Sequence, residues 1–189
     1  MATDTARAPA TVETAALETL VASLRNAHAL ESQVIAVLEA QRDLLTDFPD
    51  LHSRVTDHVG ETRDQARRLE AGLKACGTSP SRVKDALLSV MGLGQSSVQG
   101  FSDDAVLKAV AADMMTEHLE IATYRTLIAL ADLAGKPELR PELETTLREQ
   151  EAMAAWLDRN LEAITRRFVE IRATQDAGTP PRDGNTDPA

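Results

Sequence analysis

Four stretches of the chain repeat apolar residues at helical spacing, and polar side chains interrupt each one near its middle. The first runs Leu20, Leu24, Ala27, Glu31, Val34, Leu38, Gln41, Leu45. The second runs Val55, His58, Thr62, Gln65, Leu69, Gly72, with Glu61 beside Thr62. The third runs Val110, Met114, Glu117, Ile121, Tyr124, Ile128, Ala131, with Glu120 following Glu117 by one turn. The fourth runs Leu143, Leu147, Gln150, Ala154, Leu157, Leu161, Ile164, Phe168. Apolar residues recurring every three or four positions mark the inward face of a helix. A carboxylate on such a face is costly unless it is paired or bound to a metal. The interruptions therefore point to a polar or metal site inside a four-helix bundle.

Punctuation residues set the predicted boundaries. Helix 1 is expected from about Val12 to Leu45, with a break at Phe48-Pro49, because a residue before proline is steered away from helical geometry. Asp50 is expected to cap helix 2, which continues to about Cys76, with Gly77 as its C-terminal stop and Pro80 just beyond. Residues 77–102 form a crossover in which Ser81 to Val90 reads as a short helix, broken by Gly92, Gly94 and Gly100. Ser102, Asp103 and Asp104 supply a cap and an acidic first turn for helix 3, which ends before Gly135 and Pro137. Helix 4 begins between Pro137 and Glu142 and reaches about Ala173. Residues 1–12 and 174–189 read as disordered segments flanking one domain, 13–173.

Alternating strand patterns are absent, so the fold class is all-α. Short turns make two antiparallel hairpins, and a connection of about 25 residues is long enough to cross between them. One long crossover is the ferritin-like arrangement, as distinct from simple up-down-up-down. Glu31 lies 14 residues before Leu45 and Gln65 lies 15 after Asp50, so the two are expected at one level. Glu120, 14 residues before Ala134, and Gln150, 13 after Pro137, match in the second hairpin if helix 4 starts at that proline.

Composition narrows the function. Aromatics make up 3% of the 189 residues, so the core must be built from Leu, Ala, Val, Ile and Met. A formal charge of −10 excludes nucleic acid as the main partner, since phosphate binding needs a basic face. Metal cations are compatible with it. Cys76 is the one cysteine and cannot form an internal disulfide. No run approaches the ~18–20 apolar residues of a membrane span, and the start has no apolar leader, so a cytoplasmic protein without a membrane partner is expected.

A di-iron or di-manganese carboxylate site takes a Glu from each of two helices and a Glu-x-x-His pair from each of the other two. Glu31 and Glu117 fit the single-Glu role, and Glu120 stands beside Glu117. Helix 2 offers Glu61, and helix 4 offers Gln150 and Glu151, but neither carries Glu-x-x-His. Gln65 and Tyr124 read as hydrogen-bond partners. His58 reads as a metal ligand, as a residue that orients a ligand, or as a partly exposed helix position. His28, His52 and His118 look like surface positions, and Met91, Met114, Met115 and Met153 like packing. Cys76 has no evident base beside it, so nucleophilic catalysis finds no support.

Three segments resemble a known family. His58-Val-Gly-Glu61-Thr62-Arg-Asp-Gln65 followed by Arg-Arg-Leu-Glu70 is similar to the second-helix motif of the small bacterial YciE/YciF-type ferritin-like stress proteins. Glu117-His118-Leu-Glu120-Ile-Ala-Thr-Tyr124 looks like their third-helix motif, and Leu147-Arg-Glu149-Gln150-Glu151 through Trp156 like the acidic stretch of the fourth. The resemblance covers about residues 15–170. It implies a four-helix ferritin-like bundle, commonly a homodimer, linked to stress and carrying interior carboxylates for a di-metal centre of iron or manganese. By position, the implied ligands are Glu31, Glu61, Glu117 and Glu120, with helix 4 contributing from Glu149 to Glu151. The chain departs from the pattern with neutral Gln150 on the inward position and Ala154 four residues later. Two readings follow: a stress-associated metal-binding bundle, or a non-catalytic structural or interaction bundle whose polar layer only fixes helix register.

Overall fold

A computed structural model describes residues 11–80 and 104–177, and among these no strand occurs. Helix α1 spans Val12–Gln41, α2 Pro49–Ala75, α3 Ala105–Leu133 and α4 Arg140–Ala177. Thr11 caps α1 by accepting from the Thr14 N–H at 3.2 Å. The end predicted for helix 1 at Leu45 is its last turn, wound as a tighter 3₁₀ segment, Arg42–Leu45. Asp50 is not the cap of α2: Pro49 takes the first helical position, where its missing N–H costs nothing, and Asp50 falls inside the acidic first turn. Gly77 stops α2 at φ +72°, a left-handed conformation that a side chain would strain. A short 3₁₀ segment, Pro137–Leu139, leads into α4, which runs past the expected Ala173. The predicted crossover helix at Ser81–Val90, the caps Ser102 and Asp103, and most of both predicted tails lie outside the described residues.

Helix directions follow from cross-contacts. In α1 and α2, Arg63 pairs with Glu39 and Glu70 with His28, so rising numbers meet falling ones and the pair is antiparallel. The same holds for α3 and α4, where Arg125 meets Glu151 and Asp132 meets Arg140. Gln41 reaches Asp113 and Glu31 reaches Tyr124, which sets α1 antiparallel to α3. Gln65 and Arg68 of α2 meet Glu149 of α4. Helices α2 and α3 are therefore parallel and diagonal, as one long crossover requires.

The core is divided. One apolar cluster holds Leu20, Leu24, Leu69, Leu73, Leu127 and Leu143. Another holds Leu38, Val55, Val59, Val110, Met153 and Leu157. Between them every helix turns polar on its buried face: Glu31 on α1, His58, Thr62 and Gln65 on α2, Glu117 and Glu120 on α3, Gln150 on α4. The interruptions of the four apolar seams thus meet at mid-height.

Candidate metal centre

Glu31, Glu117 and Glu120 are each 0–1% exposed, as are His58, Gln65 and Gln150. Their contacts run around the bundle. The Tyr124 hydroxyl donates to Glu31 Oε1. Gln150 Nε2 donates to Glu120 Oε2 at 2.7 Å, which bears out the expected match of level in the second hairpin. Gln65 Nε2 donates to Glu149 Oε2 at 3.0 Å and, more weakly, to Gln150 Oε1 at 3.4 Å. Glu31 and Gln65, expected at one level, both lie in the layer without pairing: Glu31 turns to Tyr124, while Gln65 turns to α4. Arg68 grips both oxygens of Glu149 at 2.6 and 2.9 Å and closes this side of the layer.

His58 is not a partly exposed position but a fully buried member of the layer. Its Nδ1 lies 2.8 Å from Glu61 Oε2, and its Nε2 lies 3.0 Å from Glu117 Oε1. The first is a hydrogen bond; the second is a close ion pair. Glu61 stands at the rim, 34% exposed, where Arg54 donates to it at 3.1 Å. Glu151 is not in the layer: it points outward and meets Arg125 at 2.7 Å. Successive residues lie about 100° apart on a helix, so Gln150 and Glu151 cannot both face inward.

Charge is balanced by protons. Burial raises Glu31 to about 7, against the lowering effect of its Tyr124 hydrogen bond and of His58. Burial and the like charges of Glu31 and Glu117 raise Glu120 well above the carboxylate range. Burial alone would lower His58; its contacts with Glu117 and Glu61 outweigh that and raise it to about 9. The hydrogen bond with His58, aided by Arg54, lowers Glu61 to about 2. At neutral pH His58 is thus an imidazolium held by carboxylates, and Glu120 holds its proton to higher pH than an ordinary carboxyl.

Among the described residues, no three His, Cys, Asp or Glu side chains are grouped so that they could hold a metal as they stand. Each buried carboxylate has turned one oxygen to a protein partner instead. The second oxygen is a different matter: Glu31 Oε2, Glu117 Oε2 and Glu120 Oε1 are all buried without a hydrogen-bond partner, as is Gln65 Oε1. Buried polar atoms are rarely left so. Three carboxylates, an amide oxygen and a nearby imidazole are donors of the kind iron and manganese take, so the residue set fits such an ion. Sequence reasoning missed Asp113, 5% exposed, which sits one turn before Glu117 and accepts from Gln41 Nε2 at 3.0 Å. Its spacing from Glu117 was the available signal.

A four-helix bundle with one long crossover and a carboxylate layer at mid-height is a ferritin-like protein. The family described as "Domain of unknown function (DUF892)" matches residues 15–170, and the chain belongs to it. Among solved structures, YcfI from Rhodopseudomonas palustris is 31% identical, covers 81% of this chain and 96% of its own, and has a TM-score of 0.67. The E. coli stress protein YciF is 23% identical, with 80% and 94% covered and a TM-score of 0.67. The bacterioferritin of Desulfovibrio desulfuricans is 17% identical, with 96% and 99% covered and a TM-score of 0.67. The resemblance to YciE/YciF-type bundles read from the helix motifs therefore holds. Among the described residues, no helix is long and apolar enough to cross a membrane.

Proposed function

We propose that the carboxylate layer is a binding site for iron or manganese and that the protein serves a stress-protective role in the cytoplasm. The observation that carries this is the set of unpartnered oxygens on Glu31, Glu117 and Glu120, one per side chain and all at one level. The D. desulfuricans bacterioferritin, which shares the fold, has a diiron site, and the E. coli relative is named a stress protein. Both support the reading by analogy of fold.

Glu31, Glu117 and Glu120 would hold the ion, with Glu61 and Gln150 at the sides of the layer. Bound there, iron or manganese would supply one-electron redox chemistry toward oxygen or peroxide. The protein's own part is electrostatic. His58 fixes the direction of Glu117 and Glu61, and Tyr124 and Gln150 fix Glu31 and Glu120. The protons on Glu31 and Glu120 stand where a cation's charge would otherwise be balanced, so uptake releases them. A homodimer is part of the same reading, supported by exposed Met115 and Leu119, one turn apart on α3; light scattering on the purified chain tests it.

A structural reading has its own supporting observation: each buried carboxylate already has one partner, in Tyr124, His58 or Gln150. Metal content separates the two. Tag-free protein is loaded anaerobically with Fe(II) or Mn(II), desalted and measured by mass spectrometry, beside Glu31→Gln and Glu117→Gln. Retention of one to two ions per chain, lost in both variants, is expected. No retained metal, or retention unchanged in the variants, would leave the layer as a register device.

A further inference from the structure

One buried carboxyl lies beyond the layer. Asp113 is on the inward face of α3, one turn from Glu117, and Gln41 reaches it from the last residue of α1. Both are at least nine-tenths buried, at 5% and 6% exposure. Their neighbours along the two helices, Leu38, Leu45 and Val110, belong to an apolar cluster. An apolar pair of similar size would fit such a place without the desolvation that a carboxyl and an amide incur. The pair is also incomplete. Gln41 Oε1 is buried without a partner, and so is Glu117 Oε2. The bond lengths of an amide keep its oxygen about 2.3 Å from its nitrogen. With Gln41 Nε2 held 3.0 Å from Asp113 Oδ1, the free amide oxygen lies within about 5 Å of that carboxyl oxygen.

We propose that Asp113, Gln41 and Glu117 form a second cation station, one turn from the carboxylate layer, for a hard divalent ion of the Mn(II) or Mg(II) class. The donors are all oxygen, two carboxylates and one amide carbonyl, with His58 paired to the far oxygen of Glu117 at 3.0 Å, and such a set suits hard cations over zinc or copper. So few protein donors leave room for coordinated water, as these ions prefer. The station shares Glu117 with the layer, but Asp113 and Gln41 belong to it alone.

Mn(II) is the probe, with free ion followed by electron paramagnetic resonance during titration of the full chain. Asp113→Asn keeps the shape and an acceptor for Gln41; it is expected to lose one Mn(II) per chain. Glu120→Gln is expected to keep that ion. Gln41→Glu, which adds a third carboxylate, is expected to tighten this ion at least tenfold. A pair that serves only helix register predicts no change in affinity for Gln41→Glu. Equal binding by wild type and Asp113→Asn, or no binding by either, overturns the proposal. A loss in Glu120→Gln alone would spare the layer and remove the station; a loss in Asp113→Asn alone would do the reverse.

Discussion

His58 and Glu117, on diagonal helices of the bundle, are held 3.0 Å apart with their side chains 0% and 1% exposed. With Glu61 on the other imidazole nitrogen, His58 links the rim to the interior by charge. Removing one member of a buried ion pair strands the other, which typically costs about 3–5 kcal/mol. Replacing both by apolar residues of similar volume is far less damaging. His58→Ala is therefore expected to lower unfolding free energy at pH 7 by about 3 kcal/mol. The double change His58→Leu with Glu117→Leu is expected to be more stable than His58→Leu alone. Urea denaturation of the three variants decides it, and a double variant weaker than the single would show that the pair is not the source of the loss.

The buried groups also set a pH dependence. Glu31 and Asp113 are raised to about 7 from ordinary values of 4.5 and 3.8, and His58 to about 9 from 6.5. In each case the folded chain binds a proton that the unfolded chain releases earlier. Their contributions are fully present below the ordinary values and disappear as pH rises through about 7 and 9. Glu61, lowered to about 2, acts oppositely: its contribution is present above 4.5 and is lost as pH falls through about 2. Metal-free protein is thus expected to be most stable near pH 5. Its Tm should decline steadily toward pH 9 in scanning calorimetry with chelator. A Tm that rises between pH 5 and 9 would contradict the protonated layer.

Tyr124→Phe removes the hydroxyl that donates to Glu31 while preserving the ring. A buried acceptor stripped of its donor costs about 1–3 kcal/mol, so a loss in that range is expected. Glu31 should then titrate at still higher pH, because its hydrogen bond to Tyr124 lowers its pKa. Carboxyl carbon NMR of wild type and variant reads that shift directly.

Two glycines inside α2 can be replaced. A Cβ at Gly60 would meet nothing within 4 Å, and one at Gly72 would touch Leu24 Cδ2 at 3.7 Å, an ordinary contact. Glycine is less favourable than alanine in a helix by about 0.8–1 kcal/mol. Each change to alanine is expected to raise stability by up to that amount, without altering the layer. Thermal melts with Tm unchanged or lowered would reveal a constraint at these positions.

The fold was legible because apolar spacing, Pro49, Gly77, Gly135 and Pro137 all mark the same helices. Most of the layer was legible too: Glu31, Gln65, Glu117, Tyr124 and Gln150 were polar on apolar seams, Glu120 stood one turn after Glu117, and all are buried. Three points were not. Glu151 was expected among the ligands although the apolar seam runs through Gln150, and it faces outward to Arg125. His58 was on its seam, but only packing reveals that two carboxylates on different helices close around it. Asp113 lay one residue off the seam read for α3, and its partner Gln41 is 72 residues away, a pairing that no local pattern carries.

The division of the core into two apolar clusters has a mechanical meaning. Each half resembles a short bundle with its own oily interior, and the two are separated by a plane of charges and amides. What joins them is chiefly the uninterrupted backbone of four helices crossing that plane. Cooperative unfolding must therefore be transmitted along covalent rods rather than through continuous side-chain packing. Whatever tightens or loosens that plane tunes how far the two ends of the molecule behave as one.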